Sequence, residues 1–203
     1  MKKKLLLITL ISIPIILIGI VIFFRTTAEP TNEEIIESLK NIENYKTEVE
    51  FVIKNSRGEE RQDAIQYYKT DLAGRIDFGE ERTKIYKGDQ ILVKDYISNK
   101  EYTMLNSMDD VYSLSFVNSL LSYPINNEGI IEGQEEWGET EYISFTSELF
   151  LKNDNLDKVK IFIDKNKSIP IGAIVYDKNN NDRVRIVYRN FEKLKALDEE
   201  LFK

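Results

Sequence analysis

Five carboxylates, Glu132, Glu135, Glu136, Glu139 and Glu141, crowd around the single tryptophan, Trp137. Acids at that density are the raw material of glycoside hydrolysis, which needs two carboxyl groups ~5 to 10 Å apart across a sugar cleft. Sequence alone does not bring any two of them to that separation, and loop carboxylates are more commonly solvated. The indole among them is either a packing plug or a partner contact, because it joins a large apolar area to one N–H donor. Aromatic packing favours the plug, and Trp137 is also the candidate partner contact. The run Asn153-Asp154-Asn155-Leu156-Asp157 begins like a calcium loop but lacks the glycine and the closing glutamate that an EF-hand requires. Bonding of Asn and Asp side chains to nearby backbone predicts β-turns there and at Asn179-Asn180-Asn181-Asp182.

Cysteine and histidine are both absent. That excludes disulfides, thiolate nucleophiles, zinc sites built on Cys or His, the Ser-His-Asp triad and a lipid anchor on cysteine. The expectation is a protein that is not an enzyme, with no catalytic residues, no metal and no cofactor.

The address of this chemistry-poor chain is written at its start. Leu5 to Phe24 passes without a charge between Lys2-Lys3-Lys4 and Arg25, long enough as a helix to span the ~30 Å core of a bilayer. Residues 1–28 are expected to be a membrane anchor or signal segment; Thr26-Thr27-Ala28 offers small residues where a peptidase would cut if the segment is removed. The lysines before the span orient the remaining chain extracytoplasmically. The 203-residue chain carries a formal charge of −7, and setting aside the four basic residues of the leader leaves 24 basic against 35 acidic side chains, or −11. Such a surface is repelled by phosphate, so nucleic acid is excluded as a partner. Residues 29–203 suffice for a single domain.

Within that domain, Thr31-x-x-Glu34 reads as a capping box, and Ile35, Leu39 and Ile42 then lie on one helical stripe. From Tyr45 the period changes to two: Tyr45, Thr47, Val49, Phe51 and Ile53 alternate with charged residues, and Arg61 to Tyr68 pairs back across Asn55-Ser56-Arg57-Gly58. Arg75 to Phe78, Lys84 to Lys87, Gln90 to Tyr96 and Glu101 to Met104 extend the meander. Asp109 and Asp110 are candidate N-caps of a strongly apolar helix carrying Val111, Leu114, Val117 and Leu121, widened by Tyr112, Phe116 and Leu120 and stopped at Tyr123-Pro124. Strands resume at Ile130-Ile131, Glu141 to Phe145, Glu148 to Leu151, Val159 to Ile163, Ile171 to Tyr176 and Arg183 to Phe191.

The fold class is mainly β with α. A sheet of that many strands curls under its own twist, and the two apolar helices must fill its concave face. Leu114, Phe116, Val117, Leu120 and Leu121 are therefore the candidate lid or cavity helix. Exposed sheet edges leave a homodimer open.

The stretches NYKTEVEFVIKN, QYYKTDLAGRIDF, TKIYKGDQILVKDYISNKEYTM and LDKVKIFIDKNKSIPIGAIVYDKNNNDRVRIVYRNF, ending in LDEELF, resemble the LolA/LolB-like lipoprotein-carrier superfamily over Thr31 to Phe202. Within it the chain is most similar to the GerS-type germination lipoproteins of endospore formers. The resemblance implies an open half-barrel with helices in its concavity. For the carrier branch it implies binding of lipid acyl chains, as a carrier or envelope sensor. For the germination branch it implies no carrier activity but a partner, a CwlD-like N-acetylmuramoyl-L-alanine amidase supported in cortex modification, and placement in the forespore intermembrane space. GerS-type proteins are lipoproteins, whereas this chain has no cysteine, so Leu5 to Phe24 stands where the lipid would.

Overall fold

An amphipathic strand needs one face covered, and this chain takes the cover from a crossing segment between two meanders. The computed structural model describes residues 29–125, 129–134, 136–138, 140–151 and 153–203. The apolar run Leu5 to Phe24 lies outside them; among the described residues no helix is long and apolar enough to cross a membrane. Contacts divide the chain into Met1–Thr31 and Asn32–Lys203, and the second unit carries every element below.

Helix α1 (Asn32–Lys40) begins with Glu33 and Glu34 in its first turn and ends on Lys40, charges that complement the helix dipole. It buries Ile35, Ile36 and Leu39, each worth ~1.5–3 kcal/mol relative to exposure. Six strands then follow as successive hairpins: β1 (Asn44–Asn55), β2 (Gly58–Lys69), β3 (Ala73–Phe78), β4 (Arg82–Lys87), β5 (Gln90–Asp95) and β6 (Lys100–Leu105). The tight β3–β4 and β4–β5 turns require positive φ, met by Gly79 at 56° and Gly88 at 54°.

From β6 the chain crosses the inner face through a 3-10 turn (Asn106–Met108), α2 (Asp110–Leu114) and α3 (Val117–Leu120). It re-enters the sheet at the opposite edge as β7 (Ile131–Gly133). β8 (Tyr142–Glu148), β9 (Lys158–Asp164), β10 (Ile169–Tyr176) and β11 (Asp182–Lys193) then step back until β11 pairs with β1. Among the described residues, eleven strands form one antiparallel sheet in the order β6-β5-β4-β3-β2-β1-β11-β10-β9-β8-β7. The sheet stays open between β6 and β7. It is the curved half-barrel with helices in its concavity expected from the sequence.

Three expectations are corrected. The apolar segment from Val111 to Leu121 is not one helix but two short ones, broken at Phe116, whose backbone is extended (φ −68°, ψ 131°). Asp109 makes no side-chain capping bond, because its carboxylate is engaged by the sheet. Glu148 ends β8, and Leu149 to Leu151 is irregular rather than a strand; the Leu149 amide donates to the Asp157 carbonyl instead.

The inner face joins α1, α2 and α3 to Val49, Phe51, Ile76, Ile143, Phe145, Ile161 and Ile186 in one cluster. Two smaller clusters cover parts of the outer face. The C-terminal 3-10 turn (Glu199–Phe202) drops Phe202 onto Ala73 and Ile85. Trp137 packs beside Tyr142, Phe162 and Ile174.

Candidate functional site

The crossing segment is the candidate site, because it packs into the concave face of the sheet. Leu114, Phe116, Val117, Leu120 and Leu121, the candidate lid residues, are all buried, at 4%, 4%, 2%, 1% and 3% exposure. The break between α2 and α3 explains how they all point inward. A continuous helix would turn some of this row away from the sheet, whereas the extended Phe116 resets the phase.

Breaking a helix inside a core orphans backbone groups, and the sheet satisfies them. The Val117 amide donates to the Tyr45 hydroxyl at 3.1 Å, which itself donates to Gln66 Oε1 at 3.0 Å. Gln66 Nε2 donates to Ser115 Oγ at 2.8 Å, and Ser115 Oγ donates to the Tyr112 carbonyl at 2.6 Å. The Tyr188 hydroxyl donates to the Ser115 carbonyl. Tyr45 and Gln66 are 0% exposed. Burial raises the pKa of both tyrosines, with Tyr188 and Tyr68 adding repulsion at Tyr45, so both hydroxyls stay protonated as donors.

Phe116 fills the space over β3. A Cβ built on Gly74 would lie 2.4 Å from Phe116 Cζ, so this strand position has to be glycine for the ring to sit there. Tyr86 meets the ring edge-on at 5.1 Å and Tyr68 lies at 6.2 Å.

A second fastening holds the start of α2. Asp109 accepts from Lys84 Nζ at 2.9 and 2.8 Å and from the Tyr86 hydroxyl at 2.6 Å. The Lys84 and Asp109 side chains are 8% and 10% exposed. Lys84 Nζ also lies 4.3 Å from the Tyr112 ring centre, a cation–π position. Burial pulls the Lys84 pKa below its ordinary value, and the bonds to Asp109 oppose that pull. The Tyr112 hydroxyl donates to Gln62 Oε1 at 2.6 Å, tying the middle of α2 to β2. Open clefts of about 390 and 310 Å³ flank the segment, rimmed by Ser113 and Ser119.

The other residues singled out from sequence lie elsewhere. Trp137 sits on the outer face, half-buried, 5.2 Å from the Phe162 ring and against Gly172, whose missing Cβ makes room for it. Among the acidic loop residues, Glu132 pairs with Lys165 at 3.0 Å and Glu136 with Lys160 at 3.2 Å, while Gln134 donates to Glu141 at 2.8 Å. Glu135 and Glu139 lie outside the described residues. Asn153 Oδ1 accepts from the Asn155 amide at 3.1 Å, which makes that run a turn. Asp177 organises the turn before β11, accepting from the Asn179 and Asn181 amides at 2.9 Å each and from Arg183 Nε at 2.7 Å. Among the described residues, no three His, Cys, Asp or Glu converge to hold a metal. Sequence reasoning passed over Tyr45, Gln66, Lys84, Ser115 and Tyr188. The available signal was polar residues at inward strand positions, Gln66 and Lys84 both pairing across to Ile76.

The architecture defines the chain as an open antiparallel half-barrel whose concavity is plugged by its own helices. It belongs to the YdcC-like sporulation protein family, whose model matches residues 2–202. No curated protein matches it in sequence. Among solved structures it is similar to an uncharacterized conserved protein from Thermus thermophilus, with a TM-score of 0.54 and 11% identity over 84% of this chain and 92% of that one. The LolA superfamily protein NE2245 from Nitrosomonas europaea matches with a TM-score of 0.45 and 12% identity over 86% and 98%. The structure of the CwlD amidase from Clostridioides difficile in complex with the GerS lipoprotein matches with a TM-score of 0.40 and 16% identity over 85% and 98%. At 11% identity the first of these is a likeness of fold alone.

Proposed function

We propose that this chain is a non-catalytic, membrane-tethered sporulation protein that binds and supports a cortex peptidoglycan amidase of the CwlD type. In this reading Leu5 to Phe24 is the anchor, residues 29–203 are one extracytoplasmic domain, and the partner is an N-acetylmuramoyl-L-alanine amidase acting in the cortex modification that germination requires. The observation that carries it is the filled concavity. Leu114, Phe116, Val117, Leu120 and Leu121 are buried in the inner-face cluster, where a carrier would need open space, and the bonds to Ser115 and Val117 hold the segment there. A sheet so plugged has its outer surface left for work, which suits a docking protein better than a carrier. The sporulation family and the sequence resemblance to GerS-type proteins supply the partner class.

Co-purification of the full chain with the cortex amidase from the same spore former tests the reading. Complex formation, with amidase activity that falls when the chain is withheld, supports it. An amidase that is fully active alone and never co-purifies overturns it. Native mass spectrometry tests the carrier alternative, which requires bound acyl chains.

A further inference from the structure

The outer face of the sheet is covered at two places by the chain itself, and between them lies an open groove of about 740 Å³. It crosses β11, β1, β2, β3 and β4. At ~4.8 Å between strands, the crossing is ~19 Å long, room for about six residues of extended chain. In its floor Ile65 is 36% exposed. Its register partners are Glu48 on β1 and Asp77 on β3, and Asp63 stands two residues away on the same face. An exposed aliphatic side chain is thus ringed by carboxylates.

The ring is only partly neutralised internally. Glu50 takes both nearby guanidiniums, Arg61 at 3.0 Å and Arg189, and Asp77 takes Arg75 at 2.8 Å and the Thr83 hydroxyl at 2.6 Å. Arg189 is the register partner of Glu48 but turns to Glu50. Among the described residues Glu48 and Asp63 have no cationic partner. Asp63 moreover stands directly opposite Glu50, a like-charge cross-strand pair that costs stability. These carboxylates do not converge on a metal, and they repel anionic lipid and nucleic acid. What fits is a side chain with an aliphatic stem to lie on Ile65 and a cationic head to reach Glu48 and Asp63, which describes lysine and arginine. Tyr96, 53% exposed at the end of the groove, adds an aromatic contact of the kind enriched in protein interfaces.

The geometry points to this groove as the docking surface for an extended, lysine- or arginine-bearing segment of the protein partner. The assignment rests on the reading that the chain docks an amidase, and it names the face that does so. A test in two arms separates them. In the first, the full chain in detergent, labelled at isoleucine methyls, is titrated with a short peptide alternating lysine and valine, and with its glutamate counterpart. Saturable movement of the Ile65 methyl signal by the lysine peptide alone, lost in Glu48→Lys/Asp63→Lys and kept in the charge-matched Glu101→Lys/Glu148→Lys, supports the groove. Shifts spread over the surface and weakened equally by both double variants overturn it. In the second arm the same variants are measured for amidase binding. A loss of about tenfold or more in Glu48→Lys/Asp63→Lys, with thermal stability unchanged or raised, supports the assignment. Equal binding by the two double variants overturns the groove and leaves the amidase reading standing. A wild-type chain that takes the peptide at Ile65 but not the amidase overturns the reading and leaves a cationic-peptide groove.

Discussion

Replacing Gly74 with alanine tests how tightly the concavity is plugged. The added methyl would stand 2.4 Å from Phe116 Cζ and 2.5 Å from Cε1, where carbon atoms prefer ~3.5–4.0 Å. The ring has to retreat by about 1 Å, yet it is 4% exposed and set against Tyr86 and Tyr68. Such overpacking costs ~1–3 kcal/mol. Against it, alanine is worth ~0.5–1 kcal/mol over glycine inside a strand, so the middle of the two ranges leaves a net loss of ~1.2 kcal/mol. For a unit of this size that lowers Tm by about 2–5 °C. The diagnostic is a change of sign. With Phe116→Leu already in place the clash is gone, and Gly74→Ala becomes neutral or stabilising by ~0.5–1 kcal/mol. Thermal melts of the four proteins complete the cycle. An unchanged Tm in Gly74→Ala, or an equal loss in both backgrounds, would refute the argument that this glycine exists for Phe116.

Other perturbations address the fastenings one at a time. Tyr45→Phe leaves the Val117 amide and Gln66 Oε1 without their partner in a fully buried site, so it should cost ~1–3 kcal/mol in denaturant melts; a loss below the scatter of surface mutants would sink the network. Lys84→Met strands a buried Asp109 carboxylate and should cost ~3–5 kcal/mol, whereas Lys84→Met/Asp109→Leu together should cost much less; denaturation midpoints of the three proteins decide. The Asn181 side chain, then the Asn181 amide and Arg183, hold Asp177 well below the ordinary carboxylate pKa. Its contribution is full above the ordinary value near ~3.9 and disappears as pH falls toward the depressed native value, because the unfolded chain takes up its proton first. Stability measured between neutral pH and pH 3 should fall less steeply in Asp177→Asn than in wild type, and identical slopes would rule this out.

Much of the sheet was legible because its strands alternate cleanly. Tyr45 to Ile53 reads as one buried and one wet face, and the turns at Asn55 to Gly58 and at Gly88-Asp89 fall where β1–β2 and β4–β5 reverse. Reading failed where the outer face is covered as well. In β4, which reads only as a strand over Lys84 to Lys87, Ile85 lies outward beneath Phe202 while Lys84 and Tyr86 point in. Phe162 alternates with the inward Ile161 and Ile163 and so shares the face of Lys158 and Lys160, yet it is 0% exposed because Trp137 lies over it. The helix break was illegible for another reason. Nothing in Ser115-Phe116 forbids a helix; what favours the break is the set of hydroxyl and amide groups that Tyr45, Gln66 and Tyr188 present from distant strands. The site depends on tertiary satisfaction, which local pattern does not carry.

Magnitudes favour a fixed plug over a moving lid. Six strands walk to one edge and β7 starts at the other, and the described start of that connection, residues 106–125, packs along the inner face. Lifting the segment exposes five buried apolar side chains, at ~1.5–3 kcal/mol each. That sum, about 8–15 kcal/mol, is comparable to the whole stability of an ordinary domain. An acyl chain entering the vacated space would return ~0.8 kcal/mol per buried CH₂, which replaces the apolar term. It has nothing to offer the Tyr45 and Tyr188 hydroxyls, the Gln66 amide or the Lys84 ammonium. Each neutral group left unpaired in hydrocarbon costs a further ~1–3 kcal/mol, and the charged one more. A lipid exchanging with this segment would therefore meet a polar floor built for Ser115, Val117 and Asp109.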